Sequence, residues 1–215
     1  MIRNLVRQGR RGGGFDFTAA MRTVCTDLTR RLPELQHVDT NRMAVACAQT
    51  RKPVAHGLYA TLTPMRFEGG TLSTVRRGRC YTAQRLYDDS GRELLYILRF
   101  YLPRFMQVDF EEKLTTVIHE LWHVSPEFNG DLRRHEGRCY AHTHSQKQFD
   151  AHMRRLALRY LALPASDETI GFLRSSFGDL EDRHGAIVGL KVPHPKLIPL
   201  GSGAVGRHLP PESRP

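Results

Sequence analysis

The chain has 215 residues, of which 40% are apolar, so it is long enough to bury a hydrophobic core without covalent cross-links. Its four cysteines include no CxxC pair, which argues against a disulfide framework or a structural zinc ribbon and favours a reducing cytoplasmic compartment. The net charge of +10 comes mostly from arginine and suits a polyanionic partner such as nucleic acid, or equally a surface of dispersed, solvated arginines.

The two ends of the chain predict tails. Residues 1–14 carry basic residues and a glycine run, which predicts a flexible basic tail that lacks the apolar segment of a signal peptide. Residues 201–215 are rich in glycine, proline and charge, which predicts disorder. No stretch approaches the ~20 apolar residues of a membrane span. We therefore expect one domain over residues 15–200, with no membrane attachment.

The first half of the domain predicts a helix followed by a sheet. Asp16 can cap a helix with an apolar face from Ala20 to Leu28, which Pro33 ends. Strand-like segments follow, and the turn Asp88-Asp89-Ser90-Gly91 separates the last two, so a small antiparallel sheet with a hairpin is expected. These segments are Met43 to Ala48, His56 to Leu62, Cys80 to Tyr87 and Leu94 to Leu102.

The segment Leu94 to Leu102 is almost continuously apolar and is followed by Pro103. Such a run predicts a strand that is covered on both faces. It directly precedes the next helix, so we expect it either to pair with an extended peptide beside a functional site or to be an ordinary core strand.

The most informative motif is HELWH, at residues 119–123, which matches HExxH. Asp109 and Glu112 form a capping-box pattern, and apolar residues then recur at helical spacing. On a helix, His119 and His123 point the same way and can share one zinc ion, while Glu120 can act as general base toward a zinc-activated water.

The segment after this helix alternates between loop and helix signals. Residues 125–144 are polar and irregular, whereas Ser145 with Gln148 forms a second capping-box pattern before an amphipathic helix that Pro164 stops. Residues 167–177 predict a further short helix, and residues 185–200 predict an edge strand or an ordered arm because they contain three prolines.

A catalytic zinc site requires a third protein ligand. A metzincin would place a histidine at position 129, which is Asn129, so that subclass is excluded. Glu136 lies in an arginine-rich stretch without helical periodicity and is disfavoured. His144 precedes the expected N-cap Ser145 and is our predicted ligand, with His142 on the same side of an extended segment as the alternative. The candidates considered are His135, Glu136, Cys139, His142 and His144.

The chain resembles SprT-like zinc metallopeptidases and related phage metallopeptidases from about Phe15 to Leu163. In these families a histidine follows the HExxH helix by about twenty residues and starts another helix that carries an aromatic residue. The run from His144 to Phe149 is similar, as is the order of helix, small sheet, HExxH helix, loop and helix. Residues 125–134 are closest to the phage-type proteins.

The resemblance implies a minimal zincin-like α+β fold with one zinc ion per chain, held by His119, His123 and either His144 or His142. It implies a metallopeptidase that hydrolyses peptide bonds of a peptide or protein substrate, with Glu120 as general base and later proton donor. The alternative is a non-proteolytic, zinc-stabilised or nucleic-acid-associated binding protein on the same scaffold. A protein that only binds has no need of a base, so Glu120 favours the hydrolase.

Overall fold

A computed structural model describes residues 13–50, 57–134, 146–163 and 167–200. These residues form an α+β fold with a small central sheet, which agrees with the predicted class. The α-helices are α1 (Phe17–Arg31), α2 (Arg104–Gln107), α3 (Phe110–Trp122), α4 (Gln146–Leu161), α5 (Asp167–Ile170) and α6 (Phe177–His184). The strands are β1 (Phe15–Asp16), β2 (Met43–Gln49), β3 (Ala60–Pro64), β4 (Ser73–Arg76), β5 (Arg79–Ala83), β6 (Leu86–Tyr87), β7 (Glu93–Leu94), β8 (Tyr96–Leu102), β9 (Ile187–Val188) and β10 (Leu197–Pro199).

The central sheet has the order β2-β8-β3, with β8 in the middle. Strand β8 runs antiparallel to β3 but parallel to β2, so the expectation of a purely antiparallel sheet is wrong. A parallel pair requires a long crossover connection, which the chain between β2 and β8 supplies by returning to the end of the sheet where β2 began. The connection between β2 and β8 is therefore long enough for a parallel pairing that the local sequence pattern did not indicate.

Both faces of β8 are covered, as its apolar sequence predicts. Leu98 and Phe100 belong to the main core, which contains residues of α1, α3 and α4. Ile97 lies on the opposite face in a smaller cluster with Val192 of the C-terminal arm. Arg99, on that same face, is buried and donates to the Val192 carbonyl oxygen at 2.7 Å.

The predicted hairpin is present but short. The Asp88 carboxylate accepts hydrogen bonds from the amides of Ser90 and Arg92 and closes the turn between β6 and β7. The long strand expected over residues 80–87 is instead split, because β5 pairs with β4 and β10 in a second three-stranded sheet. Strand β3 extends to Pro64, and the predicted starting residue His56 lies outside the described residues.

The predicted helices are confirmed in their main features. Asp16 caps α1 by accepting from the Ala19 amide at 2.9 Å, and α1 ends at Arg31, before Pro33 starts a 3₁₀ turn. Helix α4 buries the expected face and ends at Leu161, three residues before Pro164, whereas the expected cap Ser145 lies outside the described residues. The buried face consists of Phe149, Met153, Leu156, Ala157 and Tyr160.

The C-terminal segment is more ordered than predicted. The helix expected over residues 167–177 consists of α5 and a 3₁₀ turn, and α6 follows without having been predicted. Ser176 and Asp179 form a full capping box at the start of α6, and Gly185, with φ of 75°, ends it. The predicted edge strand is confirmed as β10. None of the helices in the described ranges has the length and apolar character of a membrane span.

Candidate metal centre

Helix α3 presents the HELWH motif at its C-terminal end. Asp109 caps the helix by accepting from the Glu112 amide at 2.7 Å, as its sequence predicts. His119 and Glu120 lie in the last turn, while His123 is the residue directly after the helix, with helical φ and ψ of −70° and −11°. The two histidines were both expected within the helix. The amide of His123 instead bonds to the Glu120 carbonyl at 3.2 Å, which tightens the last turn.

The two histidine rings lie side by side. Their centroids are 4.8 Å apart and their planes cross at 74°. Phe149 of α4 contacts both rings, edge-on to His119 at 5.0 Å and stacked on His123 at 6.1 Å. Because Phe149 is almost fully buried, it restricts the orientation of both imidazoles.

Glu120 is largely buried between α3 and β3. Burial raises the pKa of its carboxyl to about 7, against the opposing effect of a hydrogen bond from the Leu62 backbone. A carboxyl with a pKa near neutrality can both accept and return a proton at physiological pH. A divalent cation held by the neighbouring imidazoles would stabilise the carboxylate and lower this pKa.

A cleft of about 350 Å³ opens beside His119 and Glu120. One wall comes from the segment that leads into β3, a second from α3 and a third from α4. The lining residues are Gly57, Leu58, Tyr59, Ala60, Glu112, Thr115, Thr116, His119, Glu120, Asp150, Met153 and Arg154. The candidate metal ligand and the candidate base therefore face one shared, solvent-accessible space.

Strand β3, rather than β8, forms the edge of the central sheet beside this cleft. The amide of Tyr101 donates to the Tyr59 carbonyl and the amide of Met65 donates to the Leu95 carbonyl. By the alternation of an antiparallel ladder, the backbone groups of Ala60 and Leu62 point away from β8. The idea that the strand at 94–102 pairs with a peptide is wrong, because β8 is flanked by β2 and β3.

The loop that follows His123 is fastened to the core. The Tyr96 hydroxyl of β8 accepts from the Gly130 amide at 3.0 Å and donates to the Asp131 carbonyl at 2.8 Å. The Arg133 amide donates to the His123 carbonyl, and the Arg133 guanidinium lies over the Trp122 ring at 4.3 Å. We call residues 124–134 the clamped loop, because these contacts fix the backbone on both sides of His123.

The remaining predicted ligands lie outside the described residues. These are the favoured third ligand His144, its alternative His142, and the further candidates His135, Glu136 and Cys139. In the part of the chain that the structure describes, no three or more His, Cys, Asp or Glu side chains are grouped as a metal site would require. The structure brings the rings of His119 and His123 together and places Glu120 with His119 in the lining of the cleft.

Sequence patterns did not indicate several residues that shape this site. Leu62 acts through its backbone, which no side-chain pattern reveals, and no pattern indicated that Arg133 packs on Trp122. His37 was given no role, yet its Nε2 lies 3.4 Å from the carbonyl oxygen of Val124.

Comparison with known proteins adds no relative. No family model, no curated protein and no solved structure matches the chain significantly. Its function is therefore inferred from its own residues.

Proposed function

We propose that the chain is a zinc-dependent peptidase with a minimal zincin-like arrangement. The observation that supports this most directly is the pair of adjacent imidazoles, one of which lines a cleft together with a largely buried carboxyl and the edge of the central sheet. This combination serves hydrolysis, because a protein that needed only structural zinc would gain nothing from burying a carboxyl with a raised pKa there.

The residues fit a zinc ion. Imidazole nitrogens bind zinc at ~2.0–2.1 Å, and crossed rings 4.8 Å apart can direct one nitrogen each toward a common point. We propose His144 as the third ligand and His142 as the alternative. His144 precedes Phe149 by five residues in the chain, and the contacts of Phe149 with both histidine rings support a ligand supplied from the start of α4.

Bound zinc would supply a Lewis acid that polarises the scissile carbonyl and acidifies water near neutral pH. Glu120 then takes a proton from the attacking water onto its carboxylate and returns it to the leaving amine. The Leu62 amide holds the carboxyl in place for both transfers. The backbone of Ala60 faces away from β8, lines the cleft and is suited to pair with an extended peptide, whereas the Leu62 amide is already bound to Glu120.

The state of the cysteines supports a reducing compartment. Cys25, Cys47 and Cys80 are free thiols, and Cys25 is buried in the core. We therefore propose that the protein works in the cytoplasm.

Metal analysis combined with a peptide-library cleavage assay tests the proposal. The purified protein should contain one zinc ion per chain and cleave peptides, and His119→Ala should lose the zinc. His184→Ala is the matched control, because His184 lies on the exposed surface of α6 and should retain it. Glu120→Gln should keep zinc and fold but lose about 10²- to 10⁴-fold in rate, since an amide cannot accept the proton.

Two results would overturn the proposal that the chain is a peptidase. One is a fully active wild-type protein that contains no metal, and the other is Glu120→Gln cleaving at the wild-type rate. Stoichiometric zinc with no cleavage of any library peptide would instead favour the zinc-stabilised binding protein.

A further inference from the structure

The second sheet, β10-β5-β4, extends away from the hydrophobic core. None of the residues in these three strands is buried, and Val75 in β4 is 69% exposed. Strand β5 is central, and the β10 segment covers it as far as Cys80, whose carbonyl accepts from the Leu200 amide at 2.9 Å. Beyond that point only the pair Arg76–Arg79 and the turn that joins β4 to β5 project as a two-stranded hairpin tip, which has no role in the proposed site.

The hairpin tip has the sequence Arg76-Arg77-Gly78-Arg79. Arg77 and Gly78 have φ of 49° and 72°, the two positive values that a type I′ hairpin turn requires. A Cβ built on Gly78 would meet no atom within 4 Å, so the turn is surrounded by open space. We call residues 76–79 the arginine tip.

The arginine tip has an electrostatic cost for folding. Arg76 and Arg79 are directly opposite each other in the ladder, so both side chains project from the same face, where like charges destabilise a sheet. Other arginines near this sheet are paired: Arg66 and Arg85 both contact Glu93. Among the residues that the structure describes, no carboxylate forms an ion pair with an arginine of the tip.

We propose that the arginine tip binds the phosphate backbone of double-stranded DNA. Phosphates would neutralise the facing arginines, and the net charge of +10 attracts a polyanion. The hairpin tip, with its two strands ~4.8 Å apart, is narrow enough to approach the phosphates that border a major groove ~12 Å wide. The tip carries no aromatic ring, whereas binding of single strands relies on stacking against aromatic side chains.

Fluorescence anisotropy with a labelled 20-base-pair duplex of arbitrary sequence tests this site without using catalysis. Replacing Arg76, Arg77 and Arg79 together with glutamine should weaken binding about tenfold or more at moderate salt. The slope of log K against log salt should become shallower by about 2 to 3, as expected for three lost phosphate contacts. Lysine at the same three positions should largely restore the slope, which also shows that the sheet remains folded.

A second triple variant controls for net charge. Arg22→Gln, Lys147→Gln and Arg155→Gln remove the same charge from exposed positions on α1 and α4 and should change duplex affinity by less than about threefold. Equal losses in the two triple variants would overturn the proposal. An absence of duplex binding by the wild type would also overturn it, as would tighter binding of a single-stranded oligonucleotide of the same sequence. Displacement of the duplex by polyglutamate at matched charge concentration would overturn it too, because it would identify an acidic protein as the partner.

Discussion

The carboxylate of Asp27 on α1 is buried and connects α1 to α4. It accepts hydrogen bonds from Arg30 at 2.9 Å, from Arg31 at 2.8 Å and from the buried Tyr160 hydroxyl at 2.7 Å. Burial acts to raise the pKa of Asp27, but these hydrogen bonds outweigh it and hold the pKa below its usual value. The ionised form is therefore favoured in the folded protein.

We expect Asp27→Asn to lower the free energy of unfolding at pH 7 by about 1 to 3 kcal/mol, because the charged acceptor is lost. A carboxyl whose pKa is lowered by folding stabilises the protein fully above its unfolded-state pKa of ~3.9, and this contribution disappears as the pH falls through the folded-state value. The difference between variant and wild type should therefore shrink below about pH 4. Urea denaturation at a series of pH values measures it.

The exposed Asp182→Asn on α6 is the control and should change stability by less than about 0.5 kcal/mol. A difference between Asp27→Asn and wild type that stays constant down to pH 2 would show that the contribution of Asp27 does not come from its charge.

Helix α4 contacts both histidine rings of the site through Phe149, and the sequence just before this helix contains the two candidate third ligands. Zinc titration into His144→Ala and His142→Ala should separate them. Losing a residue that only supports a ligand lowers zinc affinity ~10- to 100-fold, and losing a direct ligand lowers it further. We expect the larger loss in His144→Ala. If His144→Ala binds zinc like the wild type while His142→Ala does not, His142 is the ligand.

Helices were predictable from the sequence because their signals are local. Periodicity and the caps Asp16 and Asp109 define α1 and α3, and even the unpredicted α6 carries a readable capping box at Ser176. Strand pairing depends on distant segments instead. Strand β4 reads Ser-Thr-Val-Arg, which has no apolar alternation, and it becomes a strand only because β5 lies beside it.

The part of the site that lies in one short segment was predictable from the sequence, and the part that joins distant segments was not. His119, Glu120 and His123 lie within five residues, so a single helix specifies their relation. The hydrogen bond from Leu62 to Glu120 joins segments far apart in the chain. Buried charges could not be predicted either. The sequence predicts Lys113 of α3 to be a surface residue, yet it is buried and its ammonium donates to the carbonyls of Leu173 and Ser175.

Stability is distributed unevenly over the molecule. The central sheet is enclosed by the main core on one face and the C-terminal arm on the other, whereas the sheet that carries the arginine tip buries no residue in its strands. Amide protection reflects such differences, because exposed ladders open without global unfolding. We expect the amides of β4 and β5 to exchange at least about 100-fold faster than those of β8.

Hydrogen exchange followed by mass spectrometry measures this difference. Equal protection of the two sheets would mean that they unfold as one cooperative unit.

The clamped loop also has an evolutionary consequence. Tyr96 and Arg133 hold the backbone from Val124 to Arg134 against the core, and α4 takes up the chain again at Gln146. Insertions or exchanges within residues 135–145 therefore leave the anchoring of His123 unchanged. Descendants of this sequence can diversify that segment, including the proposed third ligand, without redesigning the scaffold.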